Sequence, residues 1–343
     1  MSIDPEMNAP DSEEEDDLFE HFNFTVDKGQ QLLRIDKYLM IKIAGTSRNK
    51  IQVGIDAGSV KVNGGLIKSN YRVKPLDTIS VSFANPPRDK EVYPEDIPID
   101  IIYEDEQIIL VNKSPGMVVH PAQGNWSGTL VNGLLFHCQS LPGQKDIRPG
   151  LVHRIDKDTS GILVIGKTEF ALNFLGQQFF EHSIERTYYA ICWGVPKESK
   201  GTLRGKIGRS PKDRKVMTIF PDDHELGKTA ITHYEVVESF GFASFVRFKL
   251  ETGRTHQIRA HFQSIGHPLF SDSTYGGDKI RYMSSMAGYK AFIDNAFKIC
   301  PRQALHAYSL GFIHPTTNEF MQFEQEFPAD FLTLLTKLRA ING

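Results

Sequence analysis

The stretch RPGLVHRIDKDTSGILVIGK, Arg148 to Lys167, decides the reading of the chain. Seven polar residues, His153, Arg154, Asp156, Lys157, Asp158, Thr159 and Ser160, stand immediately before the apolar run Ile162–Ile165. A short apolar run of that kind reads as a buried strand, which places the charged side chains at a strand end. Sheets fix the backbone there while the loop presents polar groups, so strand ends are where sites tend to be built. The residues alone leave two readings open: a reactive carboxylate held at a strand end, or a structural turn in which Asp158 or Ser160 caps local backbone.

Working outward, further apolar or alternating runs predict strands at Ile108–Asn112, Tyr188–Trp193, Ile231–Val237 and Ser244–Leu250. In the last, Val246, Phe248 and Leu250 alternate with Arg247, Lys249 and Glu251, as a half-buried strand requires. Helical spacing predicts helices at Thr129–His137, Thr168–Glu181 and His256–Ile265, and another from Ala329. Many strands with scattered helices predict an α+β domain on a mainly antiparallel mixed sheet, not regular βαβ repeats. Residues 278–300 match no pattern and read as an insertion.

Upstream the character changes. Between Lys28 and Ser82 ten Lys and Arg, including Arg34, Lys37, Arg48, Lys50, Lys61, Lys68, Arg72 and Lys74, face only Asp36, Asp56 and Asp77. Such a bias suits phosphate, because each cation that neutralises a phosphate releases counterions. Leu33, Ile35, Tyr38, Leu39 and Ile41 can line one helical face. Ser47 can cap a second helix that Gly58 closes, and SVKVNGG (Ser59–Gly65) alternates like a strand entering a tight turn. The pair Ser47 and Lys50 has the spacing of an acylating Ser-x-x-Lys motif, but the companion motifs are missing. The organisation expected is a tail at 1–24, a basic module at 25–85, a Pro-rich charged linker at 86–96 and a large domain at 97–343.

The formal charge of −3 hides this asymmetry: the first twenty residues hold nine Asp and Glu and no Lys or Arg, and the rest is net positive. The acidic segment has almost nothing to bury and is expected to be a solvated, disordered tail. With 343 residues and 40% hydrophobic content the chain can build a sizeable core. Cys138, Cys192 and Cys300 are far apart and show no metal-ligand spacing, so neither a zinc site nor a disulfide framework is expected. The start lacks a basic, apolar leader, and no run reaches the roughly 18 apolar residues that span a bilayer. These features predict a soluble cytoplasmic protein with no membrane partner, and nothing marks an oligomer seam, so a monomer is expected.

His153-Arg154-Ile155-Asp156 followed by Thr159-Ser160-Gly161 resembles the signature of the RluA family of pseudouridine synthases, and the RluD-type large-subunit rRNA enzymes most of all. Ile155 stands where the family usually has Leu, a volume-conserving change. Further matches run in the family's order: SPGMVVHP (Ser114–Pro121), TLVNGLL (Thr129–Leu135), IGRSPKDRKVM (Ile207–Met217), GKTAITHYEV (Gly227–Val236), LETGRTHQIRAH (Leu250–His261), the GHPL and DSTYGG of Gly266–Gly277, and RQALHA (Arg302–Ala307). Ser271 departs, standing where the family often has Gly. RIDKYL, SRNKIQ, GSVKVNG and VKPLDTISV resemble, over about 55 residues, the alpha-L RNA-binding module of a small-subunit ribosomal protein.

The resemblance implies an enzyme that isomerises uridine in large-subunit ribosomal RNA, free or within an assembling large subunit, with no metal and no organic cofactor. It implies Asp156 as the essential carboxylate, Arg254 as its paired arginine and Tyr188 as the residue stacking on the target base. An adjacent guanidinium lowers a carboxylate pKa by about 1–3 units, which would keep Asp156 ionised. Arg154 fits the position that intrudes into RNA when the base is flipped, and His153 is expected to contact RNA beside it. Two other readings are weaker. Asp156–Gly161 faintly resembles the Asp-Lys-Thr-Gly-Thr loop of phosphoaspartyl transferases, but Val152–Ile155 is not the apolar strand that loop needs. A non-catalytic ribosome-assembly factor is hard to square with the retention of Asp156, Tyr188 and Arg254 together.

Overall fold

The computed structural model describes residues 19–43, 48–83, 92–122, 125–143, 148–211, 213, 216–282 and 287–342. The acidic tail up to residue 18, the Ser47 cap and most of the linker lie outside them. The chain divides into two compact units, Met1–Asp89 and Lys90–Gly343.

The smaller unit contains β1 (Phe19–Thr25), β2 (Leu33–Arg34), α1 (Ile35–Lys42), α2 (Arg48–Asp56), β3 (Val60–Val62), β4 (Gly65–Leu66), β5 (Arg72–Val73) and β6 (Thr78–Phe83). Four strands form an antiparallel sheet in the order β1-β6-β3-β4, and β2 pairs with β5. Val60 and Val62 turn inward and Lys61 outward, the two-residue period of a strand. Asn63 and Gly64 both have positive φ, 51° and 79°, which suits the tight β3–β4 turn, and Gly58 at 74° ends α2. Helix α1 starts later than the apolar spacing suggests. Arg34 is still extended, so Leu33 belongs to β2. The buried face is then Ile35, Tyr38 and Leu39, and Ile41 turns to solvent, 72% exposed.

The larger unit contains β7 (Ile101–Glu104), β8 (Ile108–Lys113), α3 (Leu130–Cys138), β9 (Ser160–Gly166), α4 (Glu169–Glu181), β10 (Glu185–Trp193), β11 (Lys200–Arg209), β12 (Met217–Phe220), β13 (Lys228–Ser239), β14 (Ala243–Leu250), α5 (Gln257–Ser264), α6 (Tyr289–Ile299), β15 (Leu305–Ile313), β16 (Phe320–Glu324) and α7 (Ala329–Asn342). One ten-stranded sheet runs β12-β11-β13-β14-β10-β15-β9-β8-β7, with β16 added to β15. Its pairings are antiparallel except where β9 meets β15. The fold is α+β.

Strands β8 and β9 are apolar without interruption because both faces of the sheet are covered. Ile109, Val111, Leu163 and Ile165 join the core under α3 and α5. Ile108, Leu110, Ile162 and Val164 join the core under α4. A third core, with Trp193, Phe245 and Phe270, lies under α6 and α7. Part of 278–300, unassigned from its sequence, is thus α6, whose Tyr289, Ile293 and Ala296 are buried at helical spacing against the core that Phe331, Leu334 and Leu338 of α7 complete. The end of the expected linker also belongs to this unit. The Glu95 N–H donates to Asn132 O, and Asn132 Nδ2 donates to Tyr93 O. A Cβ at Gly133 would meet Ile97 and Ile99 at 3.0–3.2 Å, so the helix passes close over this segment.

Candidate active site

The loop from His153 to Ser160 leads into β9 at the parallel junction, where Gly161 pairs with Ala307. Gly161 has φ of 115°, and a Cβ there would lie 2.1 Å from Ala307 O, so no other residue fits. The loop is fastened along its length. The Thr159 N–H closes a turn onto Asp156 O. The buried ammonium of Lys113 donates to Ser114 O, Met117 O and Lys157 O at 2.7–2.9 Å. Burial pulls its pKa down to about 7 against the nearby charges of Asp158 and Asp156, with the Arg302 charge acting in the same direction as burial. Arg302, paired with Asp330, donates to Asp158 O at 2.8 Å, and Ser160 Oγ lies 2.9 Å from His306 Nδ1. Three buried polar residues remote in sequence therefore set the position of Asp156.

Asp156 borders a cavity of about 450 Å³ that is also lined by His120, Arg154, Tyr188, Arg254 and Arg259. Its carboxylate is 16% exposed and, among the described residues, accepts one hydrogen bond, from Arg259 Nη1 to Oδ2 at 2.9 Å. Arg259 is itself held by Asp272, through Nε to Oδ2 at 2.7 Å and Nη2 to Oδ1 at 2.9 Å. The Asp272 carboxylate also accepts the N–H groups of Thr274 and Tyr275. Burial would lower the Arg259 pKa, but the two carboxylates outweigh it and hold the guanidinium above its ordinary value.

The pairing of Arg254 with Asp156 expected from sequence is not what forms. Arg254 lines the same cavity, but its Nε donates to Thr229 O at 3.0 Å. Both arginines belong to one motif, and the difference is where α5 begins. Gln257 accepts from Thr252 Oγ1 and Arg254 N and donates to Ile231 O and Thr232 Oγ1, so residues 252–257 are stapled to β13 ahead of the helix. Arg259 then falls in the first turn of α5, from which its buried side chain reaches Asp156 and Asp272.

Tyr188, on β10, is buried at the cavity wall. Burial raises its pKa, the Arg186 charge opposes this and Asp156 adds to it, so the phenol stays protonated at neutral pH. His256 has φ of 55°, with Nε2 3.9 Å from Asp156 Oδ2 and Nδ1 3.2 Å from the Tyr275 hydroxyl. Burial depresses its pKa while Asp156 opposes the shift, leaving the imidazole neutral at neutral pH. Nothing in its sequence spacing marked it. Arg154 is exposed at the loop, its Nη1 3.4 Å from His120 Nε2. Burial and the Arg154 and Arg148 charges press the His120 pKa to about 4.

His153, expected on RNA, is turned to a different use. Its Nε2 accepts the Val164 N–H at 3.0 Å and its ring stacks on Phe179 at 4.6 Å. Burial, with the Arg186 charge, takes its pKa to about 3, so it offers the phosphate backbone no positive charge. The basic residues of the small unit also divide. Arg34 and Arg48 pair with the buried Asp36 at 3.0 and 2.9 Å and keep part of each side chain in solvent. Lys37, Lys61, Lys68, Arg72 and Lys74 are exposed, and Lys50 lies within α2. Among the described residues the cluster with metal-ligand atoms close together is Glu104, His137 and Cys138, within 4.8 Å. Its Glu104 already pairs with His137 and Lys167, and none of the three lines the cavity. No described helix is long and apolar enough to cross a membrane.

An arginine-held carboxylate at an arginine-lined cavity, on a mixed antiparallel sheet, is the arrangement expected of a domain that acts on an anionic substrate, and a basic module precedes it. The comparisons agree. Residues 107–264 match the family of RNA pseudouridylate synthases and residues 33–79 match the S4 domain. An uncharacterized RNA pseudouridine synthase of Chlorobaculum parvum is 47% identical over 319 residues, spanning 92% of this chain and 97% of its own length. Ribosomal large subunit pseudouridine synthase D of Zymomonas mobilis is 42% identical over 314 residues, spanning 90% and 95%. Among solved structures, human RNA pseudouridylate synthase domain containing 4 superposes with a TM-score of 0.54 at 23% identity, over 70% of this chain and 93% of that one, a likeness of fold. The chain belongs to the RluA family of RNA pseudouridine synthases: it is an isomerase that acts on RNA.

Proposed function

We propose that the chain converts uridine to pseudouridine in large-subunit ribosomal RNA, with Asp156 as the reacting carboxylate and the target base flipped into the cavity beside it. The observation that carries this is the Asp156–Arg259–Asp272 chain. Arg259 Nη1 engages Oδ2 of Asp156, while Oδ1 accepts no hydrogen bond from the described residues. One oxygen is therefore fixed and the other is left for substrate. The reaction breaks N1–C1′ and joins C5 to C1′; the proton lost at C5 is balanced by one gained at N1. No electrons are exchanged and nothing leaves the site, so the chemistry demands no metal or organic cofactor. A carboxylate at this point can attack covalently or help detach the base.

A stacked uridine cannot reach Asp156, and extruding it costs a few kcal/mol. Arg154 is the residue placed to fill the vacated stack, since a planar guanidinium can lie where a base was and still bond phosphate. Tyr188, buried and protonated, is the surface against which the flipped base lies. Arg254 takes a phosphate-facing role at the cavity wall. The exposed Lys37, Lys61, Lys68, Arg72 and Lys74 of the small unit hold the RNA backbone, and the similarity to a large-subunit enzyme of Zymomonas mobilis supports ribosomal RNA, free or in an assembling subunit, as the substrate. The protein acts as a cytoplasmic monomer.

The test is pseudouridine mapping, by mass spectrometry or carbodiimide, in unmodified 23S rRNA and in precursor large subunits incubated with wild type or Asp156→Asn. Product with wild type alone is expected. No product from folded, RNA-binding wild type on either substrate overturns the choice of target, and product from Asp156→Asn overturns the role of the carboxylate.

A further inference from the structure

Helix α4 ends in two phenylalanines that meet opposite environments. Phe179 is partly buried in the core, stacks on His153 and has the Arg186 guanidinium 5.5 Å from its ring centre. Phe180 is 79% exposed, yet it lines the active-site cavity. A single exposed apolar side chain needs no explanation by itself. Three features of this one do.

The first is its rigidity. Gln178, two residues earlier, donates to Ile313 O at 2.9 Å and accepts the Ile313 N–H at 2.8 Å, pinning the last turn of α4 to β15. His182 closes the helix in the left-handed region, with φ of 60° and its N–H on Gln178 O. The Phe180 backbone is thus held in a clamped turn at the cavity rim, so little main-chain freedom is left to lose on binding. The second is its charge setting. Arg148, Arg154, Arg186 and Arg254 line the same cavity, so a polyanion is drawn across the rim where the ring stands. The third is geometric. Flipping one nucleotide unstacks its neighbours and exposes their faces, and an aromatic ring at the mouth of the pocket is what an uncovered base face seeks.

We propose that Phe180 is a stacking platform for an unpaired nucleobase flanking the target uridine, a subsite at the pocket rim separate from the wall that receives the target itself. It rests on the proposed function, in that the strand crossing the rim is the RNA substrate. Stacking is tolerant of base identity, so the subsite selects for an unpaired neighbour and not for a particular base.

The experiment uses the full chain, wild type, Phe180→Ala, Phe180→Leu and Phe180→Trp, each checked by thermal melting. Binding to an unmodified large-subunit rRNA transcript is read as a function of salt, alongside single-turnover tritium release from the same transcript made with [5-³H]uridine. Loss of a stacked base should weaken binding of Phe180→Ala by about tenfold, within the roughly 5- to 150-fold expected of such contacts. Phe180→Leu should weaken it nearly as much, because it keeps apolar bulk but has no π-face. Phe180→Trp should restore it, with melting temperature and salt slope unchanged throughout. Phe180→Ala binding like wild type overturns the proposal, and so does Phe180→Leu binding like wild type, since the contact is then apolar cover and not stacking. A wild type that binds but releases no tritium breaks the reading of substrate and chemistry, while the binding series still decides Phe180. A wild type that neither binds nor reacts overturns both.

Discussion

Asp36 in the small unit and Asp156 in the large one are both carboxylates tied to arginine, and they are finished in opposite ways. Asp36 is fully buried and accepts from Arg34 through Nε and Nη2, from Arg48 Nε, from Gln52 Nε2 and from the Lys37 N–H, so both oxygens are engaged. Among the described residues Asp156 accepts from Arg259 alone, leaving one oxygen without a donor in a residue that lines the cavity. The contrast separates a carboxylate that organises a fold from the one proposed to react. A buried carboxylate serves structure when its acceptor positions are filled. It is available for chemistry when a neighbour, here Asp272, holds the arginine so that the carboxylate itself need not be enclosed. Asp272 resembles Asp36, since it too is buried and takes several donors.

The strongest way to break that contrast is Arg259→Gln. Removing the guanidinium hydrogen-bonded to Asp156 should lower the single-turnover rate constant by about 10²–10³-fold, the usual effect of deleting one preorganised charge donor. RNA affinity, measured by filter binding, should change little. A rate near wild type would mean that Asp156 does not depend on Arg259.

Next in size is Asp36→Ala. It leaves Arg34 and Arg48 without their carboxylate and should cost about 1–3 kcal/mol, read as faster amide hydrogen exchange across residues 33–81. The tritium-release rate at saturating RNA should be unchanged. The acid limb supplies a sign. Burial would raise the Asp36 pKa, but the hydrogen bonds from Arg34, Arg48 and Gln52 win and hold it at about 2. Its stabilisation is complete above about pH 4, the unfolded value, and is lost as pH falls toward 2. Protection from exchange, corrected for the intrinsic rate at each pH, should therefore fall across that window in wild type and much less in Asp36→Ala. Equal pH profiles would show that the pairing carries no linkage.

The smallest effect is expected from Lys61→Ala. An exposed strand lysine that touches phosphate should contribute about one unit to the log–log salt slope of RNA binding and nothing to the single-turnover rate at saturation. An unchanged slope removes Lys61 from the RNA-facing surface.

Much of the larger unit was legible because its elements announce themselves. Unbroken apolar runs gave β8 and β9, alternation gave β14, and α3, α4, α5 and α7 lie within about two residues of their expected limits. Strand β11 was not legible: KGTLRGKIGR has no apolar run, and it is a strand because β12 and β13 pair with its two edges. The His-Arg-Ile-Asp signature located the carboxylate. Sequence spacing could not say which arginine of GRTHQIR would reach it, because that depends on the Gln257 staple that starts α5 and so puts Arg259 in its first turn. For His153 the polar run around it gave no sign that its Nε2 would accept the Val164 N–H within β9. Asp272 and Lys113 gave no sign of their buried roles, which arise from contacts with Arg259 and with the carbonyl groups of the catalytic loop.

The parallel meeting of Gly161 with Ala307 bears on the order in which the molecule comes into being. Asp156 is synthesised before its partner Arg259, before the anchor Asp272, and well before Arg302, His306 and the strand that backs its loop. The core of the small unit closes among residues 26–81. Growing from its N-terminus, the chain can complete its basic module early, while the setting of Asp156 stays unassembled until nearly all of the polypeptide is available. A protein truncated between the small unit and β15 would keep the module proposed to hold RNA and lack the domain proposed to alter it.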